Sequence, residues 1–272
     1  MKGSIGIFDS GYGGLTVLKE IVNELPQYSY LYLGDNARAP YGPRSYETVY
    51  QYTLQCVEWF FSQGCSLVIL ACNTVSAKDL RTIQQKDLPK IAPNKRVLGV
   101  IRPTTEVLGQ YTHTNKVGIV GTSGTILSNS YPIEIAKFYP DIKVYQEACP
   151  MWVPLIENNE YGSAGADYFI EKHLHNLLKQ DKDIDTLLLA CTHYPLLLEK
   201  LQQFIPNSVT ILSQGEIIAK SLADYLKRHP EIEDKCLHTA SIEFYTTDDT
   251  TDFNNKATIF WGDKVLSNHV VL

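Results

Sequence analysis

The sequence of 272 residues contains no apolar run approaching the roughly 18 residues that mark a membrane-spanning helix. It also lacks a leader with an apolar segment and cleavage site, because Met1-Lys2-Gly3-Ser4-Ile5-Gly6 enters a strand-like run at once. Both absences lead to the expectation of a cytoplasmic protein with no membrane partner. Positive charge is in deficit: Lys and Arg number 24 against 30 Asp and Glu, a formal net charge of −6. Nucleic-acid binders neutralise phosphates with clustered cations, so no nucleic-acid partner is expected. For the same reason an acidic ligand would have to be held by local donors. The six cysteines, Cys56, Cys65, Cys72, Cys149, Cys191 and Cys236, include no Cys-x-x-Cys pair and no His/Cys grouping at zinc spacing. Neither a metal site nor, in a reducing compartment, a disulfide framework is expected. Any single cysteine reads most simply as a small buried hydrophobe.

What is present is an ordinary globular balance, 44% hydrophobic and 20% charged, in a chain long enough to bury about three quarters of its unfolded surface. Short apolar runs alternate with longer amphipathic stretches, the pattern of βαβ units and a mainly parallel sheet. Residues 5–8, 30–33, 67–71 and 96–100 are predicted strands, with helices over 15–24, 46–63 and 76–85 between them. After Arg102-Pro103 the pattern restarts, with strands predicted at 116–120, 143–146 and 186–190. The tail from Val209 adds a strand, a helix over 216–228 and strands at 242–246 and 265–266.

The two halves resemble one another. Ile5-Gly6-Ile7-Phe8-Asp9-Ser10-Gly11 matches Val117-Gly118-Ile119-Val120-Gly121-Thr122-Ser123, and Leu67-Val68-Ile69-Leu70-Ala71-Cys72-Asn73-Thr74 matches Thr186-Leu187-Leu188-Leu189-Ala190-Cys191-Thr192-His193, at spacings of 112 and 119 residues. Two apolar strands often look alike by chance; a shared Ala-Cys followed by polar residues is a stronger sign of duplication. Ligands of open α/β sheets bind outside the carboxyl ends of strands, where both cysteines fall. Two related open α/β domains in a pseudo-twofold arrangement would thus present two thiols to one cleft.

Inverting a carbon centre needs a proton removed from one face and another delivered to the opposite face, a task for two acid/base groups. A free thiol, with a pKa near 8.5, is about a few per cent thiolate at neutral pH and needs help to act as a base. Asp9 at the end of the first strand and His193 two residues beyond Cys191 are placed to give it. Ser10, Tyr41, Gly42, Asn73, Thr74, Thr122, Thr125 and Thr192 gather neutral donors at the strand ends, where each alone would read as a helix cap but together they suit a carboxylate. A competing signal is Gly11-Tyr12-Gly13-Gly14-Leu15-Thr16 with Asp35 downstream, which imitates a dinucleotide fingerprint. The third glycine position is Thr16, however, and Asp9 would put negative charge beside the pyrophosphate.

These residues carry a family resemblance. Ile7-Phe8-Asp9-Ser10-Gly11-Tyr12-Gly13-Gly14-Leu15, Gly34-Asp35 with Ala39-Pro40-Tyr41-Gly42-Pro43-Arg44-Ser45, Ala71-Cys72-Asn73-Thr74, and Ala190-Cys191-Thr192-His193-Tyr194-Pro195-Leu196 resemble, in order and over nearly the whole chain, the glutamate racemases of the aspartate/glutamate racemase superfamily. The resemblance implies one lobe from residues 1–100 and 210–272, a second from 101–209, and glutamate closed between them. It implies a cofactor-independent, metal-free reaction in which Cys72 exchanges the proton of D-glutamate and Cys191 that of L-glutamate. Asp9, Ser10, Pro40, Tyr41, Gly42, Asn73, Thr74, Thr192 and His193 would line the substrate, and Glu157 would support the histidine. The product would supply peptidoglycan synthesis, and a homodimer is the family expectation. His193 stands where aspartate racemases resemble Cys-Thr-Glu, which favours glutamate over aspartate; a non-catalytic glutamate-binding relative is opposed by retention of both thiols. Asn36, Arg102 and Ser213-Gln214-Gly215 depart from the family pattern, and no extension precedes the first motif, so activation by a peptidoglycan precursor is not expected.

Overall fold

The computed structural model describes residues 2–272. Its strands are β1 (Ile5–Asp9), β2 (Tyr30–Gly34), β3 (Leu67–Leu70), β4 (Arg96–Gly99), β5 (Lys116–Gly121), β6 (Lys143–Ala148), β7 (Thr186–Ala190), β8 (Thr210–Leu212), β9 (Ile242–Thr246) and β10 (Ser267–His269). β1, β2, β3 and β7 are buried along their whole length, as strands covered by helices on both faces must be, which is why they read as continuous apolar runs rather than alternating ones.

The strands form two sheets, one ordered β10-β9-β2-β1-β3-β4 and the other β6-β5-β7-β8, and the pairings within them are parallel. Within each sheet the first four strands in chain order adopt the same arrangement: second, first, third, fourth. The order reverses between first and third strands, β1 and β3 in one sheet, β5 and β7 in the other. This switch point is where open α/β sheets leave a crevice. Cys72 follows β3 and Cys191 follows β7, so the repeat seen in the sequence becomes two equivalent positions in two equivalent sheets. A single buried apolar cluster extends from Ile7 and Ile69 of the first sheet to Trp152, Leu189 and Tyr194 beside the second.

Three expectations need correction. The predicted boundary at residue 210 separates β8 from its own sheet: Thr210 N–H donates to Asp185 O at 2.8 Å and Thr210 pairs with Thr186. The chain leaves the second sheet only after Leu212, and the helix Gly215–Arg228 then packs on Gly14–Glu24 of the first. The helix predicted over 76–85 begins at Asn73 and is broken, running Asn73–Lys78, Leu80–Thr82, a widened π turn Ile83–Asp87, and Leu88–Ile91. Pro89 lacks the N–H that would meet the Gln85 carbonyl, and the wide turn falls just ahead of it. The last strand lies at Ser267–His269, not 265–266. Val265 is instead buried in the core, and β10 is an edge strand selected by backbone pairing with β9, which apolar pattern does not report.

Ser76 ties the Cys72-bearing segment to the first connection between lobes: its hydroxyl donates to Leu70 O at 2.8 Å and accepts from Val100 N at 3.3 Å, both buried. Ser76→Ala strands a buried N–H and should cost about 1–3 kcal/mol, measured as a lowered urea midpoint at constant m. An unchanged midpoint would show that this tie carries no stability.

Candidate active site

Ala71 closes the ladder by donating to Phe8 O at 2.8 Å, and Cys72 then caps the helix Asn73–Lys78 in extended conformation. Its thiol, in a residue only 7% exposed, lies 3.5 Å from Ser10 Oγ. Ser10, rather than Asp9, is therefore its hydrogen-bonding neighbour. On the second lobe Cys191 is 6% exposed, with Sγ 3.9 Å from His193 Nδ1. The other ring nitrogen, Nε2, is 2.9 Å from Glu157 Oε1, at the end of the helix Trp152–Glu157. Phe260, from the first lobe, meets the imidazole edge-on at 5.2 Å. Thiol, imidazole and carboxylate are thus linked in sequence through the two ring nitrogens.

The glycine run that imitates a nucleotide loop has a packing cause. A Cβ on Gly13 would stand 2.3 Å from His193 Nδ1 and from Thr192 Oγ1, and one on Gly14 would meet Asp9 Cβ at 2.5 Å. These glycines let the first helix approach the Cys191 loop. Asp35, the ribose candidate, is fully buried and engaged by Arg38 Nε at 2.7 Å, Thr247 Oγ1 at 2.8 Å and the Tyr41 hydroxyl. It holds the loop carrying Pro40, Tyr41 and Gly42.

A cavity of about 210 Å³ lies between the lobes, smaller than the roughly 300–1,000 Å³ of drug-sized sites and suited to a small metabolite. The first lobe contributes Ser10, Pro40, Tyr41, Gly42, Cys72, Asn73 and Thr74; the second contributes Thr122, Glu157, Cys191, Thr192 and His193. Two expected lining residues stand behind it. Asp9 is fully buried, accepting from Gly11 N at 3.0 Å and, across the lobes, from Thr192 Oγ1 at 3.3 Å. Thr125 is also fully buried, 3.1 Å from Thr122 Oγ1, which lies 2.9 Å from Thr74 Oγ1. Tyr41 lines the cavity with its hydroxyl already spent on Asp35.

Sequence reasoning did not find Ala39, Pro43, Ser123, Cys149, Pro150, Val153 and Pro154 in the lining. The strand-end argument applied to Cys72 and Cys191 would have found Cys149, which follows β6. A larger crevice of about 750 Å³ passes Arg81, Arg102 and Glu134 and contains neither thiol; Arg81 pairs with Glu134 at 3.1 Å and Arg102 with Glu106 at 2.9 Å. Among the described residues no group of three or more His, Cys, Asp and Glu side chains could hold a metal ion, and no helix is long and apolar enough to cross a membrane.

Burial opposes charge on His193, but hydrogen bonding and Coulombic attraction from Cys191 and Glu157 outweigh it and push its pKa up to about 10. Both interactions favour the imidazolium over the neutral ring. Burial, with the charge of Asp9 adding to it, pushes the Cys72 thiol up to about 12 against the hydrogen bonds from Ser10 and Val75. Burial also raises Asp9, partly countered by His193 and by hydrogen bonds from Gly11, Gly14 and Thr192. One side of the cavity therefore carries a thiol beside a cation, and the other a thiol that keeps its proton.

Comparison with known proteins gives the family and the fold it shares. The family model described as Asp/Glu/Hydantoin racemase matches residues 5–222. A glutamate racemase from Oceanobacillus iheyensis is 38% identical, covering 93% of this chain and 89% of the relative. The structure is similar to a glutamate racemase isoform from Bacillus anthracis, with a TM-score of 0.90 at 34% identity over 99% of this chain and 98% of that one. It is also similar to a glutamate racemase from Francisella tularensis solved in complex with D-glutamate, with a TM-score of 0.87 at 30% identity and the same coverage of each chain.

The ion pair of His193 with Glu157 makes a prediction independent of any ligand. Nitrogen NMR of the imidazole should show a ring still charged well above the ordinary pKa near 6.5, losing its proton toward pH 10. Glu157→Gln removes one of the raising interactions, so the transition should move down in pH. An unmoved transition would dissociate Glu157 from the charge on His193.

Proposed function

The chain belongs to the Asp/Glu/hydantoin racemase family, and from that premise we propose that it interconverts L- and D-glutamate without a cofactor, in the cytoplasm, supplying D-glutamate for peptidoglycan synthesis. The observation that carries this reading is the presence of two thiols, at corresponding ends of β3 and β7, around one amino-acid-sized cavity. The identity of the substrate rests on the relatives, which are glutamate racemases.

In the direction from L to D, Cys191 as a thiolate beside the His193 imidazolium takes the α-proton from one face of the substrate. The electron pair left on the α-carbon delocalises into the adjacent carboxylate. Cys72, held as a thiol, then delivers its proton to the opposite face and becomes the thiolate. One proton has left the substrate and one has arrived, so the product is the enantiomer. The reverse direction begins with Cys72 as the base. Burial makes its thiol hard to ionise, and the Ser10 hydroxyl 3.5 Å away stabilises the anion when it forms. Asn73 and Thr74 supply neutral donors for the substrate's carboxylates, while Glu157 keeps His193 charged and oriented. Asp9 acts from behind, bracing Thr192 and adding negative charge near Cys72.

Purified protein given L-glutamate and L-aspartate in parallel, with no cofactor or metal added, should racemise glutamate and leave aspartate essentially untouched by chiral chromatography. Cys72→Ala and Cys191→Ala should each lose about 10²–10⁴-fold in rate, the usual worth of a positioned acid or base. His193→Ala should fall similarly in the L-to-D direction. Preferential turnover of aspartate would refute the substrate assignment, and a single-cysteine variant working at the wild-type rate would refute the two-thiol mechanism.

A further inference from the structure

The second connection between the lobes passes through Ser213-Gln214-Gly215. Gln214 is buried and its carboxamide closes a ring of hydrogen bonds. Asn73 Nδ2 donates to Gln214 Oε1 at 2.7 Å, Gln214 Nε2 donates to the Tyr131 hydroxyl at 2.8 Å, and that hydroxyl donates to Asn73 Oδ1 at 2.5 Å. Gln214 Nε2 also donates to Thr104 Oγ1 at 2.8 Å.

The direction of this ring is fixed from outside it. The Thr104 hydroxyl donates to the Val100 carbonyl at 2.8 Å, and since a carbonyl can only accept, Thr104 has only acceptor capacity left for Gln214. Gln214 must therefore turn its nitrogen to Thr104 and Tyr131 and its oxygen to Asn73. Asn73 in turn must face Gln214 with its nitrogen and Tyr131 with its oxygen. Asn73 immediately follows Cys72 and lines the cavity. Its second amide hydrogen has no acceptor among the described residues. The ring draws on both lobes and on both connections between them: Asn73 after β3, Tyr131 in the helix Ser130–Phe138, Thr104 just after the first connection, and Gln214 in the second.

We infer that Gln214 is a positioning residue which fixes the sense of the Asn73 carboxamide, so that the turn joining the lobes sets affinity for an anionic substrate without touching it. The inference rests on the racemase reading for its substrate. Without the ring, the Asn73 carboxamide is free to rotate by half a turn and offer its oxygen, an acceptor, to a carboxylate. Binding weakens while the two thiols and His193 are left as they were.

The experiment measures KM and kcat for L-glutamate, and Kd for D-glutamate by calorimetry, in the full chain with its melting curve recorded. Gln214→Met should raise KM and Kd by about 10- to 100-fold, the worth of a hydrogen bond to a charged group, with kcat little changed. A folded Met variant with wild-type KM and Kd overturns the inference. If the Met variant does not fold, Gln214→Leu, which likewise offers no acceptor to Asn73 Nδ2, serves instead, with raised KM at little-changed kcat expected and unchanged KM overturning it. Wild-type protein that binds glutamate without racemising it would refute the racemase reading alone, leaving the Kd ratios to decide the positioning role; wild-type protein that does neither overturns both.

Discussion

At Gly13 the first lobe comes so near the second that even a single added carbon would lie 2.3 Å from His193 and Thr192. The site depends on that approach. It brings the loop after β7 against the helix Gly14–Glu24, so that Asp9 of one lobe can accept from Thr192 of the other and Phe260 can close over His193. With the lobes held there, the crevices at the two switch points merge into one cavity, and the thiols after β3 and β7 share it. A side chain at residue 13 would force the lobes apart or displace the histidine. The glycines imitate a phosphate loop because both kinds of site need a backbone that something else can approach closely.

Charge is distributed unequally across this cavity. The imidazolium of His193, kept by Glu157 and Cys191, balances negative charge on one side; the buried Cys72, facing the field of Asp9, resists becoming an anion on the other. In the proposed reaction the His193 cation stabilises negative charge arising on the Cys191 side, while Cys72 keeps the proton it delivers. The neutral donors between them suit an acidic substrate that the protein's net charge of −6 does nothing to attract. Burial makes such local interactions stronger than they would be in water, and makes each unpaired polar group more costly.

The fold and the two thiols were legible in the sequence because both follow from local pattern: apolar runs mark the buried strands, and Ala-Cys recurs where β3 and β7 end. His193 was legible for the same reason, being two residues from Cys191. Glu157 was reached through family resemblance alone, since its link to His193 spans 36 residues and no local pattern announces it. Side-chain destinations were less accessible still. Tyr41 was read as a donor to substrate, yet its hydroxyl is claimed by Asp35; Asp9 was read as a partner for Cys72, yet it hydrogen-bonds Thr192 and leaves that thiol to Ser10. The Gln214 ring joins positions 141 residues apart, and the sequence could mark it only as an unusual turn. Cys149 was passed over because its strand, β6, has no counterpart motif in the other half.

If different thiols serve opposite faces of one carbon, the fate of solvent hydrogen must differ between substrate and product. With L-glutamate racemised in D₂O and stopped below about a tenth of conversion to limit back-reaction, mass-resolved chiral chromatography separates the label in substrate from the label in product. Two thiols acting in turn predict D-glutamate deuterated at Cα, because the delivering thiol has exchanged with solvent, while the remaining L-glutamate stays largely unlabelled. Early D-glutamate that retains most of its original α-hydrogen would mean that one base carries the proton from face to face, and would refute transfer by two thiols.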